Sequence, residues 1–200
     1  MISNGKFYES QFEEATIELL REAHWQYAFG DDIHRKYTDP LIEEDLRNFL
    51  TVQYKDKNLT TSEMDSIVAN LRNTGGQNDY YALRNAFLLY RDGYDFAYSD
   101  GRDNPFRLEY IDFEHPDHNI FRCVNQFVME QGRENRRPDI LLFINGIPVC
   151  IIELKNPTKQ NATIHDAHTQ ICTRYMRDIP ALLKYCALTV ISDGAKNALG

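Results

Sequence analysis

Apolar residues in the first half of the chain recur every three or four positions, from residue 8 to about residue 98. This spacing predicts a series of amphipathic helices. A second helix is predicted to open at Pro40, a capping-box pattern at Thr60 and Glu63 predicts a third, and Tyr81 to Tyr90 suits a fourth. The predicted apolar positions are Phe12, Ala15, Leu19, Leu20 and Ala23 in the first helix and Leu41, Leu46, Phe49 and Leu50 in the second.

The second half has apolar runs that are typical of strands. It follows a polar loop, Asp100–Pro105. Strands are predicted at about 107–113, 120–128 and 187–191, with a hairpin between the second and the third. A helix is predicted from about 162 to 184, so this half is expected to be a mixed α/β unit.

The clearest strand pattern is the hairpin. Two apolar runs, Ile140–Ile144 and Ile147–Ile152, flank Asn145-Gly146, a dipeptide that favours tight turns. The runs predict two largely buried strands. Charge inside such a sheet is costly unless it is paired or bound to a metal ion, so charged residues at the open end of the hairpin need a chemical reason.

Those residues are Asp139, Glu153 and Lys155. Side chains alternate along a strand, so Glu153 and Lys155 share one face. A two-residue turn alone would put Asp139 on the opposite face. A three-residue loop, with Gly146 left-handed as a G1 bulge, puts it on the same face, as does a compensating bulge elsewhere in the hairpin. We therefore predict that loop or such a bulge.

Two carboxylates and an amine on one face suit metal-dependent hydrolysis of a phosphodiester. Mg²⁺ prefers hard oxygen ligands and takes one or two carboxylates. Asp139 and Glu153 would supply them, the carbonyl of Leu154 is a further candidate ligand, and Lys155 could orient or deprotonate the attacking water. The alternative is an edge-strand salt bridge between Glu153 and Lys155. The preceding Pro138-Asp139, the apolar flanks and the hairpin spacing favour the metal site.

The same stretch resembles the PD-(D/E)xK nuclease signature, with Pro138-Asp139 as its first half and Glu153-Leu154-Lys155 as its second. More narrowly, the run from Arg137 through Asn156-Pro157 is similar to the N-terminal nuclease domain of the restriction (R) subunit of type I restriction-modification enzymes. Flanking segments that also resemble this family are Tyr110–Phe113, Asn119–Phe121, Asn125–Phe127, Asp178–Pro180 and Ser192–Gly194.

The resemblance implies an α/β fold with a restriction-endonuclease-like αβββαβ core, a mixed central sheet and a helical insertion. With 200 residues, 42% of them hydrophobic, the chain can form one domain. We expect residues 1–200 to be a single nuclease domain, with its core at about 8–30 and 106–200 and helical elaboration at about 31–98. The sequence has no Gly-rich phosphate loop, so the ATP-driven motor of a full R subunit, and ATP itself, are expected to belong to residues outside this chain.

Further site residues follow from the resemblance. Relatives often use a first-helix glutamate as an additional metal ligand, and Phe12-Glu13 fits best; a solvent-exposed helical glutamate is the alternative. R subunits usually have Gln-x-x-x-Tyr after the hairpin, whereas Gln170 and Tyr175 are five positions apart. They would share a helical face only through a π-bulge; otherwise Gln170 aligns with Arg174 and Tyr175 is a core residue. Gln170 and Tyr175 are predicted to contact DNA or the active site.

The net charge of −8 argues against strong non-specific DNA binding by this chain alone. A basic patch, Arg133, Arg136 and Arg137, precedes the hairpin and is either a DNA backbone contact or a solvated loop. The resemblance implies double-stranded DNA as the substrate. It also implies the methyltransferase (M) and specificity (S) subunits as partners that supply most of the affinity.

The four cysteines, Cys123, Cys150, Cys172 and Cys186, form no close sequence pair and favour reduced thiols. The sequence has no long apolar run and no signal-peptide pattern, so a cytoplasmic protein is expected. Two alternative functions stay open. One is a stand-alone repair or junction-resolving nuclease with the same three residues, and the other is a catalytically inactive docking module of the restriction complex.

Overall fold

A six-stranded mixed sheet lies at the centre of the computed structural model, which describes residues 9–155, 169–193 and 197–200. The strands, in chain order, are β1 (Gln26–Phe29), β2 (Tyr94–Phe96), β3 (Phe106–Leu108), β4 (Phe121–Asn125), β5 (Met129–Gln131), β6 (Glu134–Arg136), β7 (Ile140–Ile144), β8 (Ile147–Leu154), β9 (Leu188–Ser192) and β10 (Asn197–Leu199). The central sheet has the order β1-β4-β7-β8-β9-β10. Its β1–β4 and β8–β9 pairs are parallel and the others are antiparallel. A mixed α/β architecture is thereby confirmed.

The described residues of the first half contain four α-helices, as the apolar spacing predicted. They are α1 (Glu9–Glu22), α2 (Glu43–Gln53), α3 (Thr61–Asn73) and α4 (Asp79–Asp92). The predicted capping box is confirmed: the Thr60 hydroxyl accepts from the N–H of Glu63, and the Glu63 carboxylate accepts from the N–H of Thr60.

The start predicted for the second helix is wrong. Helix α2 begins at Glu43 and not at Pro40. The N–H of Leu41 donates to the side chain of Asp39, and the N–H of Ile42 donates to the carbonyl of Gly146. Because these contacts hold the backbone of Ile42 outside the helical region, with φ −90° and ψ 84°, the helix cannot begin earlier.

The single helix predicted at 162–184 is divided in two. Its described part comprises α5, which is π-helical over Gln170–Tyr175 and α-helical over Met176–Asp178, and α6 (Pro180–Leu183). Ile179 separates them with φ −137° and ψ 48°, because a residue that precedes proline disfavours the helical conformation. Residues 162–168 of the prediction lie outside the described residues.

The strands predicted at 107–113 and 120–128 are shorter than expected. Strand β3 ends at Leu108, and β4 ends at Asn125 because Gln126 has a left-handed φ of 57°. The third prediction, 187–191, corresponds to β9 at Leu188–Ser192. Strands β1, β2, β5, β6 and β10 were not predicted; each has three or four residues, too few to show a periodicity.

Different helices cover the two faces of the sheet. On one face α5 and α6 pack against alternate residues of the central strands, among them Leu141, Phe143 and Ile151. On the other face Ile17 of α1 packs against Ile152 and neighbouring residues of the opposite parity. Helices α2, α3 and α4 share a separate apolar cluster with β2 and β3. Within the described residues, no helix has the length and apolar character needed to span a membrane.

Candidate active site

The turn of the β7–β8 hairpin has two residues, Asn145 and Gly146, with φ values of 50° and 75°. Ile144 pairs directly with Ile147. The three-residue loop predicted from the sequence is therefore wrong.

Contacts from outside the hairpin hold this short turn. The side-chain amide of Asn145 donates to the carbonyl of Tyr110 (2.9 Å), and its oxygen accepts from the N–H of Ile120 (2.7 Å). At Gly146, a Cβ atom would lie 2.1 Å from the carbonyl oxygen of Ile42, so the neighbouring backbone requires glycine. Asn145 is completely buried, and its amide satisfies the backbone groups of Tyr110 and Ile120.

The compensating bulge, which was the other predicted solution, is confirmed. Leu142 pairs with Cys150 and Phe143 pairs with Pro148, so Val149 is an extra residue in β8. Proline has no N–H to donate to the neighbouring strand, and an irregularity beside it is therefore expected. The extra residue reverses the parity of every pair beyond it.

Beyond the bulge, Ile140 pairs with Ile152. Continuing this register by one residue places Asp139 opposite Glu153, on the sheet face covered by α5. The amide N–H of Leu154 donates to Oδ2 of Asp139 over 2.7 Å, which fixes the carboxylate at the end of the hairpin. The Leu154 carbonyl, a candidate ligand, belongs to the last residue of β8.

The Glu153 carboxylate lies in a dense hydrogen-bond network, with only 1% of the residue exposed. Its Oε1 accepts from the Tyr175 hydroxyl at 2.7 Å. Its Oε2 accepts from Nε2 of Gln170 at 2.9 Å and faces Nζ of Lys155 at 3.4 Å. Both carboxylate oxygens are thus held by side chains from α5, and Oε2 also faces Lys155, which follows β8.

The π-helical turn brings Gln170 and Tyr175 together. The turn covers Gln170–Tyr175, and Nε2 of Gln170 donates to the Tyr175 hydroxyl over 2.7 Å. A π-helix pairs positions five apart, as an α-helix pairs positions four apart, so it absorbs the extra residue. Of the two alternatives left open by the sequence, the structure has the π-helical turn and not the alignment of Gln170 with Arg174. Tyr175 is also buried in the core, with 3% exposed.

Burial raises the pKa of Glu153 to about 7, and the charge of Asp139 adds to the effect. The hydrogen bond from Tyr175 and the charge of Lys155 act in the opposite direction without cancelling it. Burial and the Glu153 charge also raise the pKa of Tyr175, which keeps its hydroxyl protonated as a donor. The two carboxylates therefore repel each other in a poorly solvated place, which a divalent cation would relieve.

Lys155 is mostly buried, with 13% of its side chain exposed. Its Nζ lies 3.4 Å from Glu153 and 3.3 Å from Oε1 of Gln170. Gln170 thus contacts Glu153, Tyr175 and Lys155 together, with its amide nitrogen as donor and its amide oxygen as acceptor.

Glu13 lies on α1, which packs on the other face of the sheet. Its carboxylate accepts from the side-chain amides of Asn125 (2.9 Å) and Gln126 (3.1 Å), beside a cleft of about 480 Å³. The backbone N–H of Gln126 in turn donates to the carbonyl of Asp139. Glu13 is thus connected to the Asp139 strand through Gln126, and its role as a metal ligand stays a prediction.

Asn125 and Gln126 have a positioning role that the sequence reasoning missed. They fall in a segment that resembled the family, but nothing in their local pattern indicated that their amides would hold Glu13. The left-handed backbone of Gln126 ends β4 beside Glu13 and cannot be recognised from hydrophobic periodicity.

The three arginines of the basic patch have different surroundings. Arg136 is bound to the buried carboxylate of Asp178 and to Glu134. Arg133 and Arg137 are exposed. Arg136 therefore has an ion-pairing role in the fold, whereas Arg137, two residues before Asp139, is accessible to a ligand.

The described cysteines Cys123, Cys150 and Cys186 are buried free thiols. Burial raises the pKa of each, so these thiols stay protonated and unreactive.

Comparison with known proteins places this sequence in a family. Residues 6–200 match the family model described as "Type I restriction enzyme R protein N terminus". The chain is 29% identical over 202 residues to the type I restriction enzyme HindI endonuclease subunit of Haemophilus influenzae, which covers 96% of this chain and 19% of that protein. It is 33% identical over 105 residues to the type I restriction enzyme EcoprrI endonuclease subunit of Escherichia coli. That alignment covers 50% of this chain and 31% of the Escherichia coli protein.

The chain spans about a fifth of the length of the Haemophilus influenzae relative. The family model, in contrast, covers nearly all of the chain, including the hairpin and α5. The chain therefore belongs to the type I restriction enzyme R protein N-terminal family, which the hairpin motif had indicated.

Proposed function

We propose that this chain is the DNA-cleaving nuclease domain of a type I restriction R subunit, with a restriction-endonuclease-like core and a Mg²⁺-dependent site at the open end of the β7–β8 hairpin. The observation that supports it best is the bulge at Val149, which brings Asp139 and Glu153 to one face of the sheet. The names of the relatives, which are endonuclease subunits, support the same function.

The donor set fits a hard divalent cation. Asp139 and Glu153 are paired carboxylates, and burial together with their mutual repulsion raises the pKa of Glu153. Such a pair is stabilised by a positive charge between its members, and oxygen ligands suit Mg²⁺. When bound, Mg²⁺ would supply Lewis-acid stabilisation of the negative charge that develops on a phosphodiester during hydrolysis.

Tyr175 and Gln170 position the acidic pair. They donate to the two oxygens of Glu153 and so hold the carboxylate in one rotamer, facing Asp139. The Leu154 N–H does the same for Asp139. Because these donors stabilise charge, they favour the ionised carboxylates that metal binding requires.

Lys155 is suited to contact the reacting groups. An ammonium group has three N–H donors, and those of Lys155 have two partners among the described residues, Glu153 and Gln170. In this proposal the ammonium group also donates to an attacking water or to a phosphate oxygen. Lys155 would thereby orient the nucleophile and stabilise the growing negative charge.

The charge of the chain and its family support a role for further components in the full assembly. At −8, the chain would need other components to reach DNA at physiological salt concentration. We propose that double-stranded DNA is presented by methyltransferase and specificity subunits and by ATP-driven motor domains outside these 200 residues. Exposed Arg137 then contributes a local phosphate contact next to the site.

Plasmid cleavage by the assembled restriction complex tests the proposal. Lys155→Ala or Glu153→Ala is expected to abolish Mg²⁺-dependent cleavage of supercoiled DNA and to leave ATP hydrolysis unchanged. Lys36→Ala, at an exposed lysine outside the site, serves as the matched control and should cleave normally. Full cleavage by the Lys155 and Glu153 variants would refute the nuclease assignment.

A titration with Mg²⁺ distinguishes the nuclease from an inactive docking module. The nuclease is expected to bind Mg²⁺ and to lose that binding in Asp139→Ala. Binding that is absent, or unchanged in the variant, would favour the docking module.

A further inference from the structure

A second group of metal-binding side chains lies away from the hairpin site, in the segment between β3 and β4. It comprises Asp112, His115 and His118, the last of which ends a 3-10 turn at Pro116–His118. Their ligand atoms all lie within 4.8 Å of one another. Among the described residues, no other group of three His, Cys, Asp or Glu side chains meets this condition.

The Nδ1 atoms of both imidazole rings lie near Oδ2 of Asp112. Nδ1 of His118 lies 3.0 Å from Oδ2 of Asp112, and Nδ1 of His115 lies 3.6 Å from it. The first distance is that of a hydrogen bond, but the second is too long for one. In a tetrahedral zinc site with bonds of about 2.0–2.1 Å, neighbouring ligand atoms are about 3.4 Å apart. The two observed distances therefore lie on either side of the spacing expected between ligand atoms in such a site.

The histidines can adjust to complete the geometry. Their rings are stacked, with centroids 4.9 Å apart and planes inclined by 17°. The side chains are 63% exposed at His115 and 56% exposed at His118. A small rotation of either ring would therefore set the distance between the two nitrogens without disturbing the core.

Asp112, in contrast, is fixed. It is buried, with 4% exposed. Its Oδ1 accepts from the backbone N–H groups of Glu114 and His115, and its Oδ2 accepts from the side-chain amide of Gln53 at 3.1 Å. These bonds direct Oδ2 toward the two rings. An immobile carboxylate held by a second shell of donors is the arrangement that orients a metal ligand.

The group is anchored at the turn end of the β7–β8 hairpin. Oδ1 of Asn119 accepts from the N–H of Asp112 and from the side chain of Asn145, the turn residue. Asp139 lies six positions from Asn145 along β7, which is about 20 Å at strand spacing. The group is therefore separate from the proposed nuclease site. Its ligands also differ, because imidazole favours zinc and similar ions, whereas carboxylates alone favour Mg²⁺.

We propose that Asp112, His115 and His118 form a site for Zn²⁺ or a similar transition-metal ion. The ligands are Oδ2 of Asp112 and Nδ1 of each histidine, and water completes the coordination shell. Each histidine binds as the tautomer that carries its proton on Nε2. The ion joins the Pro116–His118 turn to Asp112, and through Gln53 and Asn119 to α2 and the hairpin turn. The site does not depend on the proposed nuclease function.

Calorimetric titration of the full chain with Zn²⁺ tests the site. Asp139→Asn is introduced throughout, so that the hairpin carboxylates do not contribute to the signal. The parent is expected to bind one Zn²⁺ per chain, and His115→Ala or His118→Ala should weaken that binding at least tenfold. His34→Ala, at an exposed histidine elsewhere, is the control and should bind like the parent.

Thermal unfolding gives a second readout. Zn²⁺ is expected to raise the melting temperature of the parent and of His34→Ala, but not of His118→Ala, because only a bound ion stabilises the folded state. Since both histidines are exposed, their alanine variants should fold. Absence of Zn²⁺ binding in the parent, or equal affinity in the parent and in both His115→Ala and His118→Ala, would overturn the proposal.

Discussion

The side-chain amide of Gln170 donates to the hydroxyl of Tyr175 across 2.7 Å, although the two residues are five positions apart in the sequence. In an α-helix this spacing would turn the two side chains away from each other, and the π-helical turn brings them to one face. The contact matters because both residues also donate to the buried carboxylate of Glu153. An extra residue in this helix is thus absorbed by local geometry, and the network around Glu153 is preserved.

Deleting exposed Thr173 should therefore be tolerated. The deletion restores the four-residue spacing, so an ordinary α-helical turn can bring Gln170 and Tyr175 to the same face. We expect a change of no more than about 1 kcal/mol in the free energy of unfolding, measured with urea. DNA cleavage by the assembled complex should persist. Deleting Arg177 instead, which lies beyond the π-helical turn, is the control and should disturb the fold. Loss of cleavage in a well-folded Thr173 deletion would show that the π-turn itself is required.

Tyr175→Phe should shift the pH dependence of cleavage. The variant removes the hydroxyl that donates to Oε1 of Glu153. Loss of this hydrogen bond to a buried oxygen should lower the free energy of unfolding by about 1–3 kcal/mol. Because the lost hydrogen bond lowers the pKa of Glu153, its removal raises that pKa further. The acidic limb of the pH–rate profile should move to higher pH, and cleavage at neutral pH should fall about tenfold. Tyr80→Phe, at an exposed tyrosine, is the control. An unchanged profile would contradict this role for Tyr175.

Glu153→Gln should flatten the pH dependence of stability in metal-free buffer. Burial, followed by the charge of Asp139, raises the pKa of Glu153 from 4.5 to about 7. Between these values the unfolded chain has lost the proton and the folded chain retains it. The contribution of Glu153 to stability is therefore complete below pH 4.5 and is lost as the pH rises to about 7. Urea unfolding at about pH 5 and about pH 8 should show a smaller difference for the variant than for the parent. Equal differences would indicate that the pKa of Glu153 is not raised.

Replacing Arg136 should change the stability of the fold, whereas replacing its neighbour Arg137 should change DNA binding. Arg136→Ala breaks the ion pair with Asp178 and should lower the melting temperature. Arg137→Ala should leave the melting temperature unchanged, because the side chain is exposed. It should instead weaken DNA binding by the assembled complex and reduce the slope of log K against log salt by about one. Both predictions are tested by measuring the salt dependence of DNA binding and the thermal unfolding of each variant. A stability loss in Arg137→Ala with no change in binding would contradict the assignment.

The fold could be predicted from the sequence where the signal is local. The helices α1, α3 and α4 follow from apolar spacing and a capping box, which involve residues within one or two turns. Short strands such as β1, β5 and β6 could not be predicted in this way, because three or four residues do not define a periodicity. Their pairing depends on neighbours far away in the chain.

The candidate site was likewise predictable from the sequence only where the signal is local. The three charged residues of the hairpin, and the requirement that they share a face, follow from alternation along strands and from the chemistry of phosphodiester hydrolysis. The loop type was wrong because burial of Asn145 against Tyr110, and of Gly146 against Ile42, holds the turn at two residues. These contacts join segments that are far apart in the sequence.

The sequence by itself determined the candidate site of this protein, which comprises the acids and the amine of the hairpin, the strands that present them, and the family. Periodicity and motif spacing are properties of neighbouring residues, so they can be recognised without coordinates. Only the tertiary structure decided that the bulge lies at Val149, that a π-turn joins Gln170 to Tyr175, and that Arg136 binds Asp178. It also decided that two histidines converge on Asp112. The turn that requires the bulge is held by Tyr110 and Ile42, and Arg136 binds Asp178, so these two features depend on contacts between distant segments. The π-turn and the Asp112 group are local in the chain, but their backbone geometry cannot be recognised from hydrophobic periodicity.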